Sequence, residues 1–115
     1  MKNKILHVAM ALSVVLLAAC GDDTPATTEV YTSAGSVQCS GGGATLAQMQ
    51  GRLQAAGVEV AASSCGLDGN VQAAVCGAPD GRIGVFAVPE TATPAASAAG
   101  FQPLSSLPRA TKTAC

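Results

Sequence analysis

The sequence predicts a small α+β domain from the order of its patterned segments and from its cysteines. Short runs of alternating or continuous apolar residues indicate strands, and two segments with helical spacing have marked ends. Their order is strand, helix, strand, strand, helix, strand, which is typical of a split β-α-β, ferredoxin-like sandwich. We therefore expect an antiparallel sheet with two helices on one face, stapled by disulfides.

The clearest element is a helix that begins after Thr45. Thr45 can cap this helix, with Gln48 as the reciprocal partner of a capping box, and Gly57 ends it. Apolar residues recur on one face of the helix at Leu46, Met49, Leu53 and Ala56. Gly51 interrupts the helix and marks a close approach between helix and sheet.

Four further segments are predicted strands, and one is a possible short strand. The strands are residues 29–39, 58–64, 82–88 and 101–107, and the short one is 71–76. The third should be central and covered on both sides, because Ile83 and Val85 share one face while Phe86 and Val88 share the other. Proline confines the last strand to an edge of the sheet.

A second, shorter helix is indicated between the central strand and the last one. Thr93 is its candidate cap, Pro94 suits the first helical position, and Gly100 marks its end. A Pro/Ala/Thr-rich linker is the alternative interpretation of this segment.

The start of the chain is typical of a secretion signal. Lys2 and Lys4 precede an almost unbroken apolar run from Ile5 to Ala19, shorter than the roughly 20 residues that a membrane-spanning helix needs. We therefore predict that residues 1–19 are a signal peptide. An uncleaved membrane anchor is the alternative.

The end of that apolar run, Leu17-Ala18-Ala19-Cys20, resembles the lipobox of bacterial lipoproteins. This resemblance implies cleavage before Cys20, diacylglycerol on its sulfur and an acyl chain on the new amino group. Gly21, not aspartate, follows the cysteine, which in that family favours the outer membrane, facing the periplasm. Residues 20–28 then form a lipidated N-terminus and flexible tether, and residues 29–115 form the domain.

The chain has five cysteines, an odd number for a secreted protein. Lipidation of Cys20 leaves four, and an oxidising compartment favours two disulfides among them. Three pairings are possible. We expect Cys65 to pair with Cys76 across a short turn, and Cys39 to pair with Cys115 at the C-terminal tail.

Composition argues against several classes of function. Six basic and seven acidic residues give a net charge of −1, which provides no basic face for nucleic acid. His7 is the only histidine and leaves with the signal, so a Ser-His-Asp or Cys-His mechanism is not expected. No metal or cofactor site is predicted, apart from the covalent lipid on Cys20, and we expect no enzymatic activity.

Weaker candidates for chemistry have simpler explanations. The glycines at 41–43 suit a flexible start to the helix better than a phosphate loop. Asp68 and Asp80 precede glycines and suit turns better than calcium sites. Glu59 and Glu90 are expected to be solvated charges and not paired catalytic acids.

The body of the chain is similar to a group of small proteobacterial lipoproteins and periplasmic proteins. Residues 64–69 and 74–82 carry this resemblance, which implies no particular activity. We therefore expect a lipid-anchored, non-enzymatic module that binds or supports another envelope protein, with a small-ligand-binding or inhibitor domain as the alternative. An exposed sheet edge is one means of accepting a partner.

Overall fold

The computed structural model of the chain describes residues 26–115. This part of the chain forms an α+β domain, which confirms the predicted fold class. It contains five strands, β1 (Thr27–Ser33), β2 (Ala62–Leu67), β3 (Arg82–Pro89), β4 (Gln102–Pro103) and β5 (Thr111–Thr113), and two α-helices, α1 (Leu46–Ala55) and α2 (Thr93–Ala98). Single 3₁₀ turns follow β3 and β4 at Glu90–Ala92 and Leu104–Ser106. Neither described helix is long and apolar enough to cross a membrane.

The five strands form one antiparallel sheet in the order β4-β1-β3-β2-β5. The first four strands in sequence thus lie in the order 4-1-3-2, which is compatible with the split β-α-β arrangement. β3 is central, and Phe86 lies opposite Val30 of β1 on one side and Ser63 of β2 on the other. The predicted central position of this segment is confirmed.

The capping box of α1 forms as the sequence predicts. The Gln48 amide donates to the Thr45 hydroxyl at 3.1 Å, and the Thr45 amide donates to the Gln48 side-chain oxygen at 2.9 Å. These two bonds satisfy donors that the first turn of a helix leaves unpaired. Gly57, with a φ of +78°, follows the last turn and redirects the chain.

The core lies between the helices and one face of the sheet. Its buried residues are Val30, Met49, Leu53, Val58, Phe86, Val88, Ala96 and Phe101. The rings of Phe86 and Phe101 meet edge to face, with centroids 5.6 Å apart. Met49 packs over Gly84, where a Cβ would lie 2.9 Å from its sulfur, whereas Gly51 has open space around it. The close approach of helix and sheet is therefore at Gly84, and the prediction for Gly51 was wrong.

The opposite face of the sheet is crossed by the connection between β4 and β5. Ile83 and Val85 point to this face and are 3% and 2% exposed, so β3 is covered on both sides as predicted. Because β4 and β5 lie at opposite edges, residues 104–110 must pass over this face. Lys112 forms an ion pair with Glu29 here, and its exposure limits its contribution to stability.

The second helix is confirmed, and the linker interpretation of that segment is wrong. α2 begins at Thr93, and Gly100 with a φ of +93° follows its end. Thr93 does not act as a side-chain cap, because its hydroxyl donates to the Glu90 carbonyl at 2.7 Å and joins the preceding 3₁₀ turn to the helix.

Two predicted strand boundaries shift for local reasons. β1 begins at Thr27, inside the predicted tether, and ends at Ser33, just before the turn at Gly35 with its φ of +73°. The Val58 amide donates to the Leu53 carbonyl, so Val58 is buried against the end of α1 and not in the sheet. β2 therefore begins four residues later, at Ala62.

The second half of the chain departs further from the prediction. Cys65 lies within β2, beyond the predicted end of that strand at residue 64, and residues 71–76 form a loop and not a strand. The predicted last strand, residues 101–107, shortens to β4, which pairs with β1 at one edge as expected. β5 forms the other edge, and no apolar alternation indicated it.

Candidate functional site

The four body cysteines form two disulfides, but not in the predicted pairs. Cys39 is bonded to Cys76, and Cys65 is bonded to Cys115. The predicted pairs Cys65–Cys76 and Cys39–Cys115 were therefore wrong. The reason is the sheet order: Cys65 lies on β2 opposite Thr113 of β5, which brings the C-terminus beside it and leaves Cys39 to pair with Cys76.

The Cys39–Cys76 bond fastens a loop that is the candidate site. We call residues 68–79 the stapled loop. The loop connects β2 to β3. Its first residue is hydrogen-bonded to the residue that precedes β3, because the Asp68 amide donates to the Gly81 carbonyl at 2.9 Å. The Asp68 carboxylate then accepts hydrogen bonds from the Asn70 amide at 2.8 Å and from the Gln72 side chain. These bonds fix the path by which the chain leaves β2.

Gln38 holds the other half of the stapled loop. Its amide donates to the Ala78 carbonyl at 2.8 Å, and its carbonyl accepts from the Gly77 amide at 3.1 Å. The Gln38 side-chain amide donates to the carbonyls of Ala73 and Pro79. One residue thus makes four bonds to the loop directly beside the disulfide.

Cys39 has an unusual backbone conformation at this junction. Its φ is +72°, and it is the one non-glycine residue of the described chain with a positive φ. It sits in a tight turn closed by two bonds between Val37 and Gly41, of 3.1 and 2.9 Å. A side chain in this region costs of order 1 kcal/mol and persists where surrounding contacts impose it. The turn places the Cys39 sulfur toward the stapled loop.

The stapled loop exposes aliphatic side chains to solvent. Val71 is 92% exposed and Val75 is 61% exposed, and with Leu67 at 41% they are the large exposed hydrophobic residues of residues 26–115. Ala73 and Ala74 between them are exposed as well. No charged residue occurs between Asp68 and Asp80. The loop therefore presents an uncharged, aliphatic surface on a fastened backbone.

Backbone groups of the stapled loop are also free. Among residues 26–115, the amides and carbonyls of Val71, Gln72 and Ala74 make no hydrogen bond to the protein. Unpaired main-chain groups on an exposed loop can form hydrogen bonds with a partner's main chain.

Asp80 fastens the base of the loop. Its carboxylate accepts a hydrogen bond from the Arg82 amide at 3.0 Å and another from the Ser36 hydroxyl at 2.7 Å. The pKa of Asp80 is held below its usual value of 3.8. The largest cause is the hydrogen bond from the Arg82 amide, followed by the hydrogen bond from the Ser36 hydroxyl and by the positive charge of Arg82. The carboxylate joins β3 to the segment that carries Cys39.

Asp80→Asn is expected to weaken the dependence of stability on acid pH. Because the pKa is lower in the folded protein than in the unfolded chain, the carboxylate stabilises the fold above about pH 4, and this stabilisation is lost as the pH falls through the folded-state pKa. Urea unfolding midpoints between about pH 2 and pH 6 should therefore fall less steeply in the variant. Ser36→Ala, which removes one donor, should give an intermediate slope. The same slope in all three proteins would contradict this account.

The stapled loop and the start of the described chain lie at opposite ends of the domain. β3 leaves the loop at Arg82 and ends at Pro89, which pairs with Thr27. Eight strand residues at about 3.4 Å each separate the two ends by roughly 24 Å. Glu59 lines a groove together with Thr27 and Pro89, far from the loop.

The other residues singled out from the sequence do not form a second site. The glycines at 41–43 all have positive φ, and a Cβ on Gly43 would collide with the Ala34 carbonyl oxygen, so they form a tight turn before α1. Asp68 and Asp80 lie in turns, as described above. The described residues contain no group of three or more side chains placed to hold a metal ion. Cys20 lies outside the described residues, as do the predicted signal peptide and all but the last residues of the predicted tether.

A groove of about 530 Å³ lies between α1 and the C-terminal strand. Leu46 and Met49 line one wall, and Leu67, Ile83 and the Cys65–Cys115 disulfide line the other. The groove is partly open to solvent, and its described walls contain one cationic side chain, Arg82, which pairs with Asp80 at 3.7 Å.

Comparisons with protein-family models, curated proteins and solved structures found no match to this chain. The stapled loop is therefore the feature from which a function is inferred. Sequence patterns missed this loop because the apolar residues of 71–76 suggested a strand. The available signal was the flanking pair of turns, Gly69-Asn70 and Cys76-Gly77, which leave few residues for a strand between them.

Proposed function

We propose that the protein is a lipid-anchored, non-enzymatic module of the cell envelope that binds another envelope protein through the stapled loop. One observation carries this proposal: Val71 and Val75 are the most exposed large hydrophobic residues described, on a loop fixed by a disulfide and by Gln38. Binding needs no cofactor beyond the covalent lipid on Cys20.

The fixed backbone is what makes the exposed valines suited to binding. A flexible loop loses conformational entropy when it docks, at about 1 kcal/mol or more per residue, and this reduces its affinity. The stapled loop has already lost much of that freedom, because bonds hold it at Asp68, at Ala73 and at Cys76. Its exposed aliphatic area is therefore available to stabilise a complex.

The direction of the loop fits an anchored protein. The lipobox-like motif at Cys20 implies attachment just before the described domain, which starts near Thr27. Since the loop lies at the other end of β3, the domain holds it away from the bilayer. Gly21 after the cysteine favours the outer membrane, facing the periplasm, and a partner there would meet the loop first.

Peptide mass spectrometry of protein purified from membranes tests the anchor. We expect a mature N-terminus at Cys20 with added acyl mass. Trypsin leaves Cys65 and Cys76 in one peptide, since no Lys or Arg lies between them, so a second cleavage before Asp68 is needed to read the disulfides. An unmodified Cys20, or a chain with its N-terminal segment intact, would contradict lipid anchoring.

Site-directed photo-crosslinking in cells tests the binding loop. A crosslinking amino acid in place of Val71 or Val75 should yield one discrete adduct with an envelope protein, identified by mass spectrometry. The matched control carries the same amino acid in place of Glu59, which is exposed at the other end of the domain. Equal adducts from positions 71 and 59, or none from the loop, would argue against this function.

A further inference from the structure

We infer that the partner of the stapled loop is an endopeptidase, and that the loop inhibits it by occupying its substrate cleft. This inference rests on the proposed function, because it assigns a partner class to the same loop. The specificity pocket of this peptidase accepts small aliphatic side chains. The complex forms without making or breaking a covalent bond.

The side chains of the loop restrict the cleft that can accept it. Val71, Ala73, Ala74 and Val75 offer only small aliphatic groups, and all four are exposed. No Lys or Arg lies between Arg52 and Arg82, so a pocket that selects a cation has nothing to bind. A small apolar pocket of the elastase type fits valine and alanine.

The backbone of the loop offers what a peptidase cleft recognises in a substrate. Clefts of this kind hold an extended segment by main-chain hydrogen bonds and read its side chains in pockets, as in strand addition. The free amides and carbonyls of Val71 and Gln72 can make such bonds, ahead of the turn that the Val75 amide closes by donating to the Ala73 carbonyl at 2.9 Å. Association through such neutral groups should depend little on salt.

Both flanks of the loop are attached to the rest of the domain. This attachment distinguishes an inhibitor from an ordinary substrate. β2 holds the chain before Asp68, and the Cys39–Cys76 bond holds it after Val75. If water is added across a peptide bond between residues 71 and 75, both new termini stay fixed to the domain. The cut loop therefore does not leave the cleft, and the peptidase hydrolyses the oxidised protein only slowly.

The test uses the oxidised, membrane-purified protein in mild detergent with pancreatic elastase, subtilisin and trypsin as probes. We expect inhibition of elastase, subtilisin or both toward small chromogenic substrates, and none of trypsin. Val71→Asp/Val75→Asp keeps both disulfides and changes only exposed positions, and it should weaken inhibition by at least about 10-fold, because charges must enter an apolar pocket. Glu59→Ala, at the far end, should inhibit like the wild type.

The staple is tested separately by the rate of cleavage. Cys39→Ala/Cys76→Ala should be cut between residues 71 and 75 about 100-fold faster than the oxidised protein, since proteolysis follows the population of the released loop. Circular dichroism melting curves establish whether this variant is folded. The aspartate variant keeps both disulfides, and its inhibition assay is independent of that result.

Three outcomes of these cleavage and inhibition assays would overturn the inference. They are no inhibition of elastase or subtilisin, cleavage of the oxidised protein as fast as of the variant without the staple, and unchanged inhibition by the aspartate variant. A discrete crosslink from position 71 to a protein that is not a peptidase would also overturn it while leaving the proposed function intact. Loss of both the crosslink and the inhibition would remove the binding function of the loop altogether.

Discussion

Replacing Cys65 and Cys115 together by alanine is expected to lower the free energy of unfolding by about 4 kcal/mol. The bond joins residues 50 positions apart, and the chain entropy that it removes from the unfolded state grows with that separation. The loss should be large because β5 has three exposed residues and is otherwise held mainly by its pairing with β2. Since both partners are removed, neither leaves a free thiol that could exchange with Cys39–Cys76.

Urea unfolding under non-reducing conditions measures this effect. Thr113→Ala is the matched control, because it changes an exposed side chain on the same strand and should alter stability by no more than about 0.5 kcal/mol. Amide hydrogen exchange should show faster opening of β5 in the double variant than in the wild type. A loss of stability below about 1 kcal/mol would mean that the C-terminal strand is held by other contacts.

Phe86→Ala is expected to cost about 3 to 5 kcal/mol of folding free energy. Phe86 is fully buried at the centre of the sheet, and its ring meets that of Phe101 edge to face under the two helices. Truncation removes the buried ring and leaves a cavity that the surrounding strand cannot close. Because small domains have total stabilities of about 5 to 15 kcal/mol, this variant should retain only a small part of its stability.

Thermal and urea unfolding followed by circular dichroism check this prediction. Phe86→Leu keeps most of the volume and should cost less than Phe86→Ala, at about 1.5 kcal/mol. Val71→Ala removes an apolar side chain that is 92% exposed, and it should change stability by less than about 0.5 kcal/mol. Similar losses for Val71→Ala and Phe86→Ala would contradict the placement of the core.

Local patterns predicted α1 and β3 because their causes are local. Thr45 and Gln48 satisfy each other's backbone within three residues, and the alternation of Val85 and Phe86 assigns them to opposite faces of any strand. Such signals operate wherever the segment lies in the fold. The same holds for Gly57, which ends the helix through its own backbone conformation.

The elements that the sequence did not predict depend on distant neighbours. β5 has no apolar pattern, and it is a strand because the edge of β2 offers it backbone partners at Cys65 to Leu67. Residues 71–76 have an apolar composition that suits a strand, but β3 already has neighbours on both sides, and the loop is held by Gln38 instead.

The sequence by itself determined the fold class, the capped helix, the central strand with its two apolar faces, and the set of four cysteines available for disulfides. Only the tertiary structure decided that Cys39 pairs with Cys76 and Cys65 with Cys115, and that Val71 and Val75 remain in solvent on a fastened loop. The physical reason is the separation along the chain between the residues that each interaction joins. Capping and alternation are satisfied within a few residues, whereas a disulfide needs two sulfurs brought together by the order of the strands, and exposure depends on what the rest of the chain leaves uncovered.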